Sequence, residues 1–554
     1  MAPMNTPFYV LTIAIAFSLT SREAAAQPAA PALIGDWKFD GDARDNSPNA
    51  NHGRAHGDVF TPGKPGARLN GRDQFIEIPA SESLRLGAKP FSVSAWIDIP
   101  ADADDRAGDL ISMYDPTTRR GFQLSIARRD AATSGQSNPR QIEFGVDNGR
   151  LDKAPIDHGR PGEAVYIFGL IVHEGRLYAA TCEPGLDQAG HLYRYEGQQR
   201  WTDCGSPDRA NGVTSLAVHD GKLYAATGKY RLRGSALQES PNETHGGHVY
   251  RYEAPGRFTD CGKLGESEAI GGMTTYRGQL HASSIYSPGV FRLKANGTWK
   301  SLGTPEGRRV EAMTVFQDSL YGGAYDKGEV YRYRPDEGWK IVGALPGVTQ
   351  TYGFGVYGGK LHVGAWPNGD VFRLEAEDRW TNVGRLGEEK EVMPIVSYNG
   401  KFYGGTLPLA ALFRYEESDR WTKLFDLDRT PDVQYRRVFA MTVFEGALYS
   451  GTLPSGHVYS IRAGRSATRD HALAAGPHHL LAVREANRLR LYIDGALAAT
   501  SDTFDAADYD LTSDAPLRIG FGATEYFRGT IRGARLYNQA LTAADAAQQA
   551  AKRP

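Results

Sequence analysis

The sequence predicts an all-β protein, a seven-bladed β-propeller inserted into a two-sheet β-sandwich. Three observations carry this prediction. Glycine and tyrosine are abundant, 64 and 28 of 554 residues, and glycine at turns with aromatics in strands suits many short strands. One phrase, an apolar strand, a glycine turn and then Leu-Tyr, recurs seven times. The segments on either side of these repeats are strand-like, and neither is long enough to close two sheets alone.

The repeats fix the centre of the chain. The copies are Val172-His173-Glu174-Gly175-Arg176-Leu177-Tyr178, Gly221-Lys222-Leu223-Tyr224, Gly278-Gln279-Leu280-His281, Asp318-Ser319-Leu320-Tyr321, Gly359-Lys360-Leu361-His362, Gly400-Lys401-Phe402-Tyr403 and Gly446-Ala447-Leu448-Tyr449. They recur about every 40 to 46 residues, with one longer step, and that period suits a four-stranded blade. A third strand follows each copy, as in Val330-Tyr331-Arg332-Tyr333, whose period of two marks a half-buried strand. A fourth carries an aromatic, Trp201, Phe258, Trp299, Trp339, Trp380 or Trp421, expected to pack between blades. The last copy stops after three strands at Ile461, and the segment near 155–158 resembles a fourth strand displaced to the start of the ring. A closed ring hides its sheet edges. The repeats therefore span 151–463, with the sandwich halves at 31–150 and 464–545.

Composition narrows function. A net charge of -2 provides no global field for nucleic acid or an anionic membrane. An apolar run over 8–19, too short to span a bilayer, precedes Ala24-Ala25-Ala26. This predicts an export signal over 1–26 and a secreted protein, extracellular or periplasmic. Arg22 follows the apolar run instead of preceding it, and a buried N-terminal strand is the alternative. No later segment is apolar enough to cross a membrane. Three cysteines are too few for a disulfide scaffold. Cys204 and Cys261 occupy the same Thr-Asp-Cys-Gly phrase, either as small buried residues or as a disulfide.

The flanking halves share a set of motifs. The first contains Gly35-Asp36-Trp37-Lys38-Phe39, Asp45-Asn46-Ser47-Pro48-Asn49 and Phe91-Ser92-Val93-Ser94-Ala95-Trp96. The second contains His479-Leu480-Leu481-Ala482-Val483, Leu491-Tyr492-Ile493-Asp494-Gly495 and Arg535-Leu536-Tyr537-Asn538. At these residues the chain resembles the laminin-G-like branch of the concanavalin A-like jelly-rolls, over about 200 residues in two pieces. The propeller copies loosely resemble Kelch-like repeats. The jelly-roll resemblance implies binding of a polysaccharide or glycoconjugate, often with bound calcium. Asp36, Asp45 and Asn49 are the oxygen-bearing residues to test as calcium ligands, with an Asx-rich turn as the alternative. The Glu-x-Asp-x-x-Glu pattern of jelly-roll glucanases is absent.

Candidate chemistry concentrates in the propeller's variable loops, which by strand direction emerge on one face. The longest, 229–246, carries Tyr230, Arg231, Arg233, Asn242 and His245. Equivalent loops carry Tyr286, Tyr325 and Trp366, an aromatic set suited to stacking on sugar rings. Arg308, Arg309, Arg436 and Arg437 are cations that would bind a uronate or a sulfate, or pair internally. The ligand-binding candidates are Tyr230, Arg231, Tyr286, Tyr325, Trp366, Arg308 and Arg436. A polysaccharide lyase would use Arg309 or Arg437 to neutralise a uronate, with His245, Tyr325 and Tyr352 moving protons. A glycoside hydrolase would draw two carboxylates from Asp208, Glu266, Glu268, Glu311, Asp326 and Glu391. A secreted carbohydrate-binding protein is the leading expectation. A carbohydrate-active enzyme with its site at the propeller axis and a cell-surface scaffold are the alternatives.

Overall fold

The computed structural model describes residues 1, 33–103, 108–127, 131–133 and 140–553. The expected export signal, 1–26, lies outside the described residues apart from Met1. Among the described residues the fold is all-β, with one α-helix, the short Ala543–Ala550, and a few single helical turns. Among the described residues no helix is long and apolar enough to cross a membrane.

Strands from both ends of the chain interleave in one sandwich. Phe91–Ile99 pairs with Gly476–Arg484 on one side and Arg528–Tyr537 on the other. In the facing sheet Gln141–Leu151 pairs with Ala463–Arg469 across the whole inserted ring. The alternation along Phe91–Ile99 explains the layer: Phe91, Val93, Ala95 and Ile97 join the apolar core, while Ser92 and Ser94, also buried, lie between them in sequence and outside it. One hydrophobic cluster joins Trp37, Phe91, Phe122 and Phe144 from the first half to Leu480, Leu491 and Ile531 from the second.

The middle of the chain has a propeller arrangement. Tyr166–His173, Gly212–His219, Ile270–Tyr276, Val310–Phe316, Gln350–Tyr357, Glu391–Tyr398 and Arg437–Phe444 are the inner strands, each packed on the next and the last on the first. Strand pairing groups the ring into four separate four-stranded sheets, one eight-stranded sheet and one five-stranded sheet. The eight-stranded sheet is two hairpin units joined at a single residue pair, Cys182↔Gly212. The five-stranded sheet includes Ile156–Asp157, which pairs with Val458–Ile461 and so ties the start of the ring to its end.

Burial falls from the axis outwards. Val310–Phe316 is buried throughout, whereas Arg379–Arg385 is mostly exposed. The repeated tryptophans stitch neighbouring units together. The Nε1 of Trp201, Trp299, Trp380 and Trp421 donates to the carbonyls of His158, Cys261, Val342 and Val383, at 2.9, 2.9, 2.7 and 3.1 Å. Cys182, Cys204 and Cys261 are all free thiols, so the possible Cys204–Cys261 disulfide is not formed.

The glycine turns form the floor of the ring, and the floor sits on the sandwich. Gly358 and Gly359 donate backbone hydrogen bonds to Ala523 and Thr524 at 2.9 and 2.8 Å. Asn399 Nδ2 donates to the Ala463 carbonyl at 2.9 Å. Lys401 Nζ forms a buried ion pair with Asp147 and also donates to the Asn399 carbonyl at 2.7 Å. Gly400 holds φ at +74°, and a Cβ there would overlap the Gln123 side chain. The sandwich thus covers the floor, and its segment Ala131–Ala132 enters the ring, where it pairs with Arg437–Phe444.

Candidate functional site

Inner-strand irregularities build the site. Each inner strand breaks register near its axial end, between Ile167 and Gly169, Val213 and Ser215, Ile270 and Met273, Val310 and Met313, Thr351 and Phe354, Val392 and Ile395, and Val438 and Ala440. A β-bulge leaves a residue unpaired and re-aims its side chain. Phe168, Thr214, Glu311, Tyr352, Met393 and Phe439 all lie inside these breaks, and all six line one cavity at the mouth of the ring. The cavity measures about 630 Å³ and also receives Glu391, Arg437, Arg309, Tyr325, Tyr286, Tyr230 and Arg231.

The loop 229–246 walls one side. Tyr230 is gripped by Asn211, whose Oδ1 accepts from Tyr230 N at 2.7 Å and whose Nδ2 donates to Tyr230 O at 3.0 Å. A short helical turn, Leu232–Ser235, buries Leu232 among Tyr166, Phe168, Met393 and Phe439. Glu239 accepts from the backbone of Leu232 and Arg233 at 3.2 and 3.1 Å.

Two carboxyl groups occupy the floor of the cavity. Glu311 and Glu391 are only 7% and 3% exposed. Burial, followed by the like charge of Glu391, pushes Glu311 up to about 7. Burial also pushes Glu391 up to about 7, against the opposing pull of Arg437 and the Tyr352 hydroxyl. Two acids that hold their protons to neutral pH suit proton transfer near pH 7. Burial, and then Glu311, pushes Tyr325 up to about 12, so its hydroxyl stays protonated at neutral pH.

Arg437 lies between the loop and the carboxyls. Its Nη1 donates to the hydroxyls of Tyr166, Tyr230 and Ser235 at 3.2, 3.3 and 2.9 Å. Arg309 is engaged elsewhere, with its Nε donating to Asp326 at 2.8 Å and its guanidinium over the Tyr325 ring at 4.2 Å. Arg231 likewise pairs with Glu268 at 2.8 Å and covers Tyr286 at 4.3 Å.

The structure brings together most, not all, of the residues singled out in the sequence. Tyr230, Arg231, Tyr286, Tyr325, Tyr352, Arg309 and Arg437 line the axial cavity. Trp366 packs beside Tyr230 and Tyr435 on the surrounding apolar cluster and does not line the cavity. His245 is exposed on the loop and away from it. Arg308 pairs with Glu306 at 2.7 Å and with Glu329, while Arg436 Nε donates to the Thr430 carbonyl at 2.8 Å. Neither of these arginines reaches the cavity. Two of the expected stacking rings, Tyr286 and Tyr325, are each covered by an arginine, so they form no bare platform. Thr214, Phe168, Met393 and Phe439 escaped the sequence reading because strict alternation hides a bulge.

The oxygen-rich turn of the sandwich is held by protein partners. Asp45 Oδ1 accepts from Asp36 N and Ser47 N, each at 2.8 Å, and its Oδ2 accepts from Ser47 Oγ and Asn51 N at 2.7 and 2.8 Å. Asp36 Oδ1 takes Arg535 Nε at 2.9 Å, and Asn49 turns its amide nitrogen to the Ile34 carbonyl at 3.0 Å. Asp45 thus spends both carboxylate oxygens on the turn, while Asp36 engages one of its oxygens with Arg535. Among the described residues no group of three or more His, Cys, Asp or Glu is arranged to hold a metal ion.

A family model described as the concanavalin A-like lectin/glucanases superfamily matches residues 400–547, from the last part of the ring through the second half of the sandwich. The chain thus carries a concanavalin A-like domain next to a propeller arrangement. No curated protein matches the sequence. Among solved structures, a streptogramin B lyase is 12% identical with a TM-score of 0.44, covering 56% of this chain and 97% of its own. A virginiamycin B lyase from Staphylococcus aureus is 9% identical with a TM-score of 0.46, covering 56% and 99%. The WD40 β-propeller domain of Doa1 is 12% identical with a TM-score of 0.39, covering 57% and 97%. Likenesses this low say nothing about activity.

Proposed function

We propose that this chain is a secreted carbohydrate-active enzyme that hydrolyses glycosidic bonds in the axial cavity. The observation that carries this reading is the meeting of Glu311 and Glu391, both buried, in one cavity walled by tyrosine and arginine. Glycoside hydrolysis needs one carboxyl that is protonated and one that ionises at working pH. One of the pair gives its proton to the glycosidic oxygen as the C–O bond breaks. The other, as carboxylate, stabilises the positive charge on the sugar ring. Water then bonds to the anomeric carbon, and its surplus proton restores the first carboxyl. Tyr352 and Tyr325, as neutral hydroxyls, orient the sugar. The concanavalin A-like domain supports the choice of carbohydrate, since a glycan-handling fold abuts the ring.

The ring is read as seven Kelch-like blades, with the eight-stranded sheet counted as two. Support comes from the single residue pair, Cys182↔Gly212, that joins its halves. The sandwich is assigned a holding role through a half-exposed aromatic cluster where it adjoins the ring. There His56 stacks on Phe75 at 4.1 Å, and Phe521 stacks on Tyr526 at 3.9 Å.

The test is incubation of the purified protein with neutral and acidic polysaccharides, following reducing ends and the absorbance of unsaturated uronates in parallel. Reducing ends without unsaturated uronates are the expected result. Unsaturated products would replace hydrolysis by elimination, and binding without either signal would overturn the enzyme reading.

A further inference from the structure

Three buried polar atoms without hydrogen-bond partners sit on side chains that line the axial cavity: Glu311 Oε2, Thr214 Oγ1 and Arg437 Nε. Buried polar groups are almost always paired, so an unpaired set around one space marks where a ligand's own polar groups belong. Charge identifies part of that ligand. Arg231 and Arg309 meet carboxylates, Glu268 and Asp326. Arg437 meets only hydroxyls at hydrogen-bond distance, and among the described residues no carboxylate forms an ion pair with it. The guanidinium donates to three neutral oxygens in a half-buried cleft, and its charge also acts on Glu391 and Glu311, neither of which forms an ion pair with it, in surroundings where that charge acts more strongly than in water.

We infer that the ligand of this cavity is an acidic sugar whose carboxylate or sulfate pairs with Arg437. Arg437 presents a planar fork that matches a carboxylate or sulfate through two parallel hydrogen bonds. Its Nη1 is already fixed by Tyr166, Tyr230 and Ser235, so less side-chain entropy is lost on binding. Thr214 Oγ1 and Glu311 Oε2 then meet the uncharged hydroxyls of the same sugar. Tyr230 and Ser235 both belong to the loop over the cavity, and their hydroxyls lie 2.9 Å apart. The acidic group would thus be read where the loop closes on Arg437. This inference rests on the axial cavity being the reacting site.

The test compares polygalacturonate with its carboxyl-reduced counterpart, and a sulfated galactan free of uronate with its desulfated form. Wild-type protein is expected to bind or cleave one acidic polymer at least ~10-fold better than its neutral counterpart, a preference of about 1.4 kcal/mol. The acidic member that wins tells carboxylate from sulfate. Arg437→Met is expected to erase the preference, and Arg437→Lys to restore only part of it. Free glucuronate if the uronate polymer wins, or glucose 6-sulfate if the sulfated one wins, should inhibit wild-type protein where glucose does not, which tests the inference without any variant. Equal handling of acidic and neutral polymers would overturn it, as would a preference that survives in Arg437→Met. Cleavage of neutral glycans alone would overturn the acidic ligand and leave the hydrolase reading standing. No binding of any polymer would overturn both.

Discussion

The two faces of the propeller differ in how they treat polar groups. On the floor, glycine turns press against the sandwich and charged and backbone groups pair across it, Lys401 with Asp147, Asn399 with Ala463 and Gly359 with Thr524, while Gln123 Oε1 is left buried and unpaired. At the mouth, bulges turn side chains inwards, two carboxyls are buried together, and Glu311, Thr214 and Arg437 keep unpaired atoms. One strand often serves both ends. Glu391–Tyr398 carries Glu391 at the cavity and leads through Asn399 and Gly400 to Lys401 on the floor. The difference teaches that the repeats define a scaffold whose lower end is committed to stability, leaving its upper end for ligand.

The sharpest way to break this comparison is to neutralise the carboxyls. Glu391→Gln and Glu311→Gln should each lower glycan turnover by about 10²–10⁴-fold, the usual worth of a general acid or base. Melting temperature should hold or rise, because a buried acid is replaced by its neutral isostere. Turnover within twofold of wild type would move the reaction elsewhere.

The floor should respond in the opposite sense. Lys401→Met leaves Asp147 buried and unpaired, and should cost about 3–5 kcal/mol in denaturant unfolding. Adding Asp147→Leu should recover much of this. A loss below about 1 kcal/mol would show that the ion pair does not hold ring and sandwich together.

The mouth should also make stability depend on pH. Glu311 and Glu391 have folded values raised to about 7 from an ordinary 4.5. Between those values the folded state binds more protons than the unfolded one. Their contribution is therefore full below about 4.5 and is lost as pH rises through about 7. Denaturation of wild type and of the double Gln variant should diverge over that window, by roughly 1 kcal/mol or more. Parallel curves would place both carboxyls in ordinary surroundings. Smaller again, Gly400→Ala should cost about 1–2 kcal/mol through its left-handed backbone, and Trp380→Phe about 1 kcal/mol through the unpaired Val342 carbonyl.

Much of the scaffold is legible in the sequence, because burial imposes repetition. The Leu-Tyr phrase recurs because each second strand needs the same packing. The repeated tryptophans recur because most donate to a carbonyl of the neighbouring unit. The site is legible in part. Tyr230, Arg231, Tyr325, Tyr352 and Arg437 stand out because they are polar or aromatic residues at strand ends and loops that converge on one face of the ring. Glu311 and Glu391 appear only as two carboxylates among six, since the sequence does not reveal which are buried together. The bulges that gather Thr214, Phe168, Met393 and Phe439 are invisible, because a register shift leaves no mark in the apolar pattern. The carbohydrate-binding expectation gives way to catalysis as the favoured reading for one reason. The rings expected to form a bare platform are capped by arginines, while the carboxyls meet.

Protonation of the carboxyl pair is the property on which catalysis at the mouth depends most directly. Carbon-13 NMR of protein labelled at glutamate carboxyls, titrated from acid to mildly alkaline pH, reads it. Three glutamates titrating near 7 are the predicted result, one missing in Glu311→Gln, another in Glu391→Gln, and Glu183, buried outside the cavity, unchanged in both. If the two signals lost in Glu311→Gln and Glu391→Gln titrate below about 5 in the wild type, in the ordinary range for an exposed carboxyl, the claim that the mouth holds a proton-transfer pair is contradicted.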